Sequence, residues 1–266
     1  MEKKSKVVIL CGGLGTRLRE ETEFKPKSLV MVGNRPIIWH VMKVYSHYGF
    51  NDFILCLGYK GDMIKDYFIN NDYKNHDFTY NLKTKSMQFH NSEEIPNWNI
   101  TFVDTGDNAD TGARLKKIEK FIDTDYFLVT YTDGVANVNI NKLINHHLSK
   151  GKIATLTGLR PISKFGILGI DDDKSDLIIS FQEKPRMLND WISGGFFVFN
   201  KKIFSYLNKE DKCKLESEPF EKLAKENEFT IYKHEGFWGC MDTLKEVQWL
   251  NSLCDISGNA PWYDFE

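Results

Sequence analysis

The chain has no excess of charge of either sign: 35 Lys and Arg stand against 37 Asp and Glu, a formal net charge of −2. No basic field runs through the sequence, so nucleic acid is not an expected partner, and any anion site must be a local concentration of cations. Long apolar runs are missing as well. Lys3, Lys4 and Lys6 precede an apolar stretch too short for a signal peptide or a membrane span. No membrane association and a cytoplasmic location are therefore expected. The five cysteines (Cys11, Cys56, Cys213, Cys240, Cys254) are odd in number and form no C-x-x-C pair, which gives no reason to infer disulfides or structural zinc. There is no H-E-x-x-H among the histidines, and His146 and His147 are helix neighbours that point in different directions. A Walker loop is absent. The dinucleotide fingerprint starts at Gly13 and Gly15 but carries Leu18 where its third glycine should allow close helix–strand contact.

What is present is concentrated near the start. Lys6–Cys11 reads as a short, fully buried strand running into Gly12-Gly13-Leu14-Gly15-Thr16-Arg17. Glycines without a Cβ let backbone N–H groups approach a ligand. Arg17 offers a forked grip on phosphate oxygens, and Lys25 and Lys27 add point charges on a segment stiffened by Pro26. A strand, a glycine loop and three cations in this order suit a polyphosphate.

Short apolar runs then alternate with helical patterns, which predicts an α/β protein with a mostly parallel sheet flanked by helices. Strands are expected at Asp52–Leu57, Ile100–Val103, Tyr126–Tyr131, Ile153–Leu159, Leu177–Gln182, Phe196–Phe199 and Phe229–Lys233. Helices are expected from Pro36 to about Tyr48, and over Gly61–Asn70, Thr111–Phe121, Ile140–Ser149, Lys201–Leu207, Glu218–Lys225 and Leu244–Cys254. Residues 71–97 are polar, aromatic and non-periodic, an inserted excursion that suits a β-ribbon. With no linker, repeat or low-complexity run, residues 1–266 read as a single domain, with 200–266 as a C-terminal segment ending in helix.

Ligands of open parallel sheets sit beyond the carboxyl ends of the strands. Asp133 stands at such an end, followed by Gly134, and reads either as a Mg²⁺ ligand or as a helix cap. Asp242 precedes the last helix and carries the same two readings. Glu183-Lys184 before Pro185, and Gly194-Gly195 before an apolar strand, are further candidates. So are Thr105, Gly112 and Arg114 near a helix start, where the glycine would admit a nucleotide and the arginine would donate to a base carbonyl.

Taken in order, these segments resemble the sugar-1-phosphate nucleotidyltransferases, whose signature is GGLGTRL with a later KPK, here Gly12–Leu18 and Lys25–Lys27. Within that family the resemblance is strongest to the branch using CTP and glucose 1-phosphate. It runs through EET at 20–22, GYKG at 58–61, VDTG at 103–106, SFQEKP at 180–185, GGFFVFN at 194–200, GFW at 236–238, MDTL at 241–244 and APW at 260–262. The resemblance implies a Rossmann-like, GT-A-like fold, and CTP and a sugar 1-phosphate as ligands. It implies a homo-oligomer. Leu10, Cys11, Gly12, Gly13, Gly15, Thr16 and Arg17 would cradle the nucleotide, with Thr105, Gly112, Arg114 and Thr132 around it. Lys27 would face the leaving pyrophosphate, with Arg17, Lys27 and Asp133 as catalytic residues. Asp133 and Asp242 would hold Mg²⁺, Glu183 and Lys184 the sugar and its phosphate, and Gly194 and Gly195 would lie beside the sugar. Thr132 replaces the family's usual glycine before the metal aspartate, and the stretch from Arg160-Pro161 to Lys164-Phe165-Gly166 keeps only part of its sugar-side loop. A different phosphorylated acceptor, or a catalytically silent nucleotide-binding subunit, are the alternatives.

Overall fold

In strand Val7–Leu10 every residue is buried, because alternate side chains enter cores on both faces of one sheet: Val7 and Ile9 on one side, Val8 and Leu10 on the other. The same alternation splits Phe53, Leu55 and Leu57 from Ile54 and Cys56, and Phe196 and Val198 from Phe197 and Phe199. A computed structural model describes residues 5–75, 77–90, 96–163, 165–170, 177–185, 187, 190–254 and 259–265. Lys3, Lys4, Lys164 and parts of the 71–97 excursion lie outside the described residues.

The sheet has seven strands in the spatial order Phe229–Lys233, Ala154–Leu159, Ile192–Asn200, Tyr126–Tyr131, Val7–Leu10, Asp52–Leu57, Asn99–Asp104. All neighbours pair in parallel except Ile192–Asn200, which runs antiparallel to both of its neighbours. The fold is thus a mostly parallel α/β sheet, as expected. Helices Ile37–His47 and Leu244–Leu253 cover one face; Thr111–Lys117 and Glu218–Lys225 contribute to the core on the other.

Helix Gly61–Asn75 is longer than expected, and part of the excursion behind it forms the hairpin Phe78–Asn81 with Ser86–Phe89. The strand expected at Leu177–Gln182 runs over Ile178–Gln182 and pairs with Ile167–Ile170, and two further short ladders, Met31–Val32 with Arg35–Pro36 and Gly134–Ala136 with Trp238–Cys240, have no counterpart in the sequence pattern. Residues Thr111–Phe121 are α-helical only to Lys117, and Glu119–Phe121 tightens into a 3₁₀ turn. Among the described residues no helix is long and apolar enough to cross a membrane.

His40 lies buried on the first of the covering helices and ties down the chain's last segment. Its Nε2 meets the Val32 carbonyl at 2.8 Å, while Nδ1 faces the Tyr263 hydroxyl at 2.6 Å and the Trp262 indole N–H at 3.3 Å. With Nε2 donating to a carbonyl, Nδ1 is the acceptor for both, so the ring is neutral there. Burial holds its pKa below the ordinary value.

Candidate active site

Strand order reverses between Val7–Leu10 and Tyr126–Tyr131, since the chain winds outward through Asp52–Leu57 on one side and through Ile192–Asn200 on the other. The carboxyl ends of those two strands border the crevice where open α/β sheets take their ligands. One end delivers the glycine loop and the other delivers Thr132 and Asp133.

Asp133 caps no helix, because it leads into strand Gly134–Ala136; the next helix is capped by Asn139, whose side chain accepts from the Lys142 N–H at 2.9 Å. Asp242 is released from capping by its neighbour. Thr243 and Glu246 form a capping box, and Glu246 Oε2 accepts from the Asp242 and Thr243 N–H groups at 2.8 and 2.9 Å. The ladder of Gly134–Ala136 with Trp238–Cys240 then brings the two acids together, continued by the Met241 N–H donating to the Asp133 carbonyl at 2.8 Å.

Lys27 stands between them. Its ammonium donates to Asp133 Oδ2 at 2.8 Å and to Asp242 Oδ1 at 2.7 Å, while Arg17 Nη1 donates to Asp242 Oδ2 at 2.6 Å. Burial alone would lower the Lys27 pKa, but the two carboxylates outweigh it and the net shift is upward, so the side chain stays an ammonium. Arg17 remains an exposed arm, with 76% of its side chain accessible. Two clefts meet at Asp133. The first, about 180 Å³, is lined by Leu10, Cys11, Gly12, Gly13, Lys27, Arg114, Thr132 and Asp133 among others. The second, about 220 Å³, is lined by Asp133, Gly194, Gly195, Glu216, Trp238 and Asp242 among others.

The loop itself is braced from two sides. Gly15 adopts the left-handed φ of 65°, and Thr22 Oγ1 beneath it contacts the Gly15 and Leu18 carbonyls at 2.9 Å each. Behind the loop, Arg114 is buried. Its Nη2 donates to the Gly12 and Asp107 carbonyls at 2.8 and 3.2 Å. Its Nη1 donates to Leu57 and Gly106 carbonyls at 3.0 and 2.8 Å and to Thr105 Oγ1 at 2.7 Å. Both terminal nitrogens of Arg114, expected to reach a base carbonyl, are here bonded to main-chain oxygens and a hydroxyl, while the residue still lines the first cleft. Thr105 is likewise buried, its hydroxyl donating to the Leu57 carbonyl at 2.6 Å. Glycine at 12 is explained by the same arginine, since a Cβ there would lie 1.9 Å from the guanidinium carbon. At Gly112 a Cβ would meet Cys213 Sγ at 2.8 Å, so that glycine serves close packing between chain segments. Gly13 is different: a Cβ there would meet nothing within 4 Å, and the residue faces the first cleft.

Some candidates are not brought in. Thr16 lines a separate surface groove with Leu14, Arg19 and Tyr59. Glu183 and Lys184 follow the exposed strand Ile178–Gln182, pair with each other at 3.6 Å, and line neither cleft. Lys25 pairs with Glu21 at 2.8 Å instead of facing the acids. The clefts also contain residues that the sequence does not mark. Glu216 accepts from the Tyr131 hydroxyl and, at 2.7 Å, from Thr111 Oγ1. The Trp238 indole N–H donates to the Gly194 carbonyl at 3.0 Å. Tyr131, just before Thr132-Asp133, was the available clue to the first contact; nothing around Glu216 in the sequence marks it. Cys240 lines the second cleft, and burial, then Glu246 and Asp242, push its thiol up to about 12, so it offers no thiolate.

The Lys27 ammonium holds one oxygen of each acid, and a pair of carboxylates is a donor set of the kind Mg²⁺ takes when phosphate oxygens and water complete its octahedron. Among the described residues no group of three or more acidic, His or Cys side chains gathers into an all-protein metal cage.

Residues 6–247 match the nucleotidyl transferase family model. The chain is 45% identical to the glucose-1-phosphate cytidylyltransferase of Salmonella typhimurium (strain LT2) over 262 residues, 98% of this chain and all of the relative. The Salmonella typhi enzyme of the same name is equally similar, at 45% over the same shares. Among solved structures, HddC from Yersinia pseudotuberculosis superposes with a TM-score of 0.66 at 24% identity, covering 94% of this chain and 99% of the other, a likeness of fold.

Proposed function

The chain belongs to the nucleotidyl transferase family, and on that premise we propose that it transfers the cytidylyl group of CTP to glucose 1-phosphate, giving CDP-glucose and pyrophosphate. The observation that carries the reading is the Lys27 ammonium bonded to both Asp133 and Asp242 where the two clefts meet. The first cleft takes the nucleotide, with its triphosphate along the glycine loop at Gly13. The second takes the sugar phosphate beside Gly194 and Gly195.

An oxygen of the acceptor phosphate attacks the α-phosphorus in line; the new P–O bond forms as the bond to the β-phosphate oxygen breaks, and pyrophosphate departs with its electron pair. The attacking oxygen is ionised at neutral pH, so no general base is required. The work is positioning and charge neutralisation, as in phosphoryl transfer generally. Arg17 and Lys27 stabilise charge growing on the leaving group. Asp133 and Asp242 are the residues that would hold Mg²⁺, which when bound neutralises and orients triphosphate oxygens. Glu183 and Lys184 belong to the same proposal as contacts to the acceptor. A homo-oligomeric assembly in the cytoplasm is the accompanying expectation, which light scattering measures in its first part.

The test is pyrophosphate release from CTP and glucose 1-phosphate, with and without Mg²⁺, across a panel of nucleoside triphosphates. Metal-dependent release with CTP supports the reading. Failure to form any nucleotide-linked product with any pair would favour the silent subunit.

A further inference from the structure

Two strands beyond Asp133, the carboxyl edge of the sheet carries a second group of cations that the reaction above does not use. Gly158 is its centre: in register it pairs with Ser193 on one side and Lys233 on the other. Arg160 follows the Ala154–Leu159 strand, and Trp191 immediately precedes Ile192–Asn200. The guanidinium carbon of Arg160 lies 4.4 Å from the centre of the Trp191 ring, and the Lys233 ammonium lies 5.3 Å from it. Two like charges thus share one indole. Among the described residues neither has a carboxylate in salt-bridge range, and Arg160 Nη1 is buried with no hydrogen-bond partner. A buried donor without a partner is costly unless a ligand supplies one.

The group is also in the right place. Ser193 and Gly194 line the acceptor cleft, and Trp191 precedes Gly194 by three residues of extended chain, roughly 10 Å at about 3.3 Å per residue. The far end of an acceptor whose phosphate reaches Asp133 and whose ring lies by Gly194 would point toward the two cations.

We propose that Arg160, Trp191 and Lys233 form an outer subsite for a second anionic group, a carboxylate or phosphate on the acceptor remote from the attacking phosphate, and that cytidylyl transfer extends to such doubly anionic acceptors. The indole supplies a flat wall against the ring, and Arg160 Nη1 and the Lys233 ammonium supply charge-assisted donors. This rests on the sugar-phosphate reading of the second cleft.

Binding and turnover separate the two. Calorimetry with the full chain compares glucose 1-phosphate with glucuronic acid 1-phosphate and glucose 1,6-bisphosphate. The doubly anionic compounds should bind about tenfold tighter, the scale of one charge-assisted contact. In Arg160→Gln/Lys233→Gln that advantage should vanish, while Trp191→Phe, which keeps a ring, should retain part of it. Equal binding of all three, or an advantage unchanged in the double variant, overturns the subsite. Pyrophosphate release with each acceptor and CTP then tests transfer. Tight binding of the doubly anionic acceptors without turnover would overturn the extended activity. Turnover with glucose 1-phosphate and no binding advantage would leave the cytidylyltransferase reading intact and sink this one.

Discussion

Arg114 and Arg160 both stand at the carboxyl edge of one sheet, yet their surroundings differ in kind. The terminal nitrogens of Arg114 are matched to four carbonyls and a hydroxyl, and the arginine is packed so closely that Gly12 and Gly58 have no room for a Cβ. Arg160 stacks on an indole beside another cation, with Nη1 unmatched. The glycine-loop edge is therefore fully matched within the protein, whereas the Arg160 edge keeps an unmatched donor, which the subsite proposed above would satisfy with its ligand.

The sharpest way to probe the rigid side is its charged centre. Lys27→Ala should lower kcat by about 10²–10³, the range for loss of one preorganised charge contact, while leaving the urea midpoint nearly in place. Steady-state rates within twofold of the parent would remove Lys27 from the mechanism.

Next in size is the brace. Arg114→Met removes five hydrogen bonds, among them the buried one to the Gly12 carbonyl, and should cost roughly 3 kcal/mol or more of stability, read from denaturant melts. Neighbouring glycines sharpen the contrast: Gly12→Ala should destabilise the fold, while Gly13→Ala should spare the melt and raise KM for CTP. Equal effects of the two would mean that the open space at Gly13 has no bearing on the nucleotide.

Acid provides a third, milder probe. His40 and His147 are buried with depressed pKa values, His147 lowered to about 4 by burial and then by His146. Because the folded values lie below the unfolded value of 6.5, the unfolded chain binds protons more readily. Stability should fall as pH drops from about 6.5 toward 4, and His147→Gln should flatten that slope. The smallest change is expected at Glu183→Ala and Lys184→Ala, where stability should move by less than about 0.5 kcal/mol and any effect should appear in the acceptor's KM.

The parts of this molecule legible in the sequence are those written locally. Strands Asp52–Leu57, Tyr126–Tyr131 and Phe229–Lys233 have the bounds that their apolar runs implied. The glycine loop, Lys27 and both aspartates could be singled out because strand ends and small residues mark them. The reversed direction of Ile192–Asn200 could not, since an apolar run carries no sense of direction. Nor could the Gly134–Ala136 and Trp238–Cys240 ladder, three residues long and glycine-containing, although it is what unites Asp133 with Asp242. Near a helix start Arg114 reads as a free hand; its inward turn depends on carbonyls of two distant residues, Gly12 and Leu57, as well as on the loop just before it.

The fit of Arg114 against Gly12 also restricts how this chain can drift. A side chain at position 12 becomes admissible only once the guanidinium behind it has shrunk, and shrinking it first leaves the loop unsupported. Either single step is penalised, so the two sites should change in tandem or stay fixed, with Gly58 bound into the same constraint. Redesign of the glycine-loop edge would have to replace all three at once.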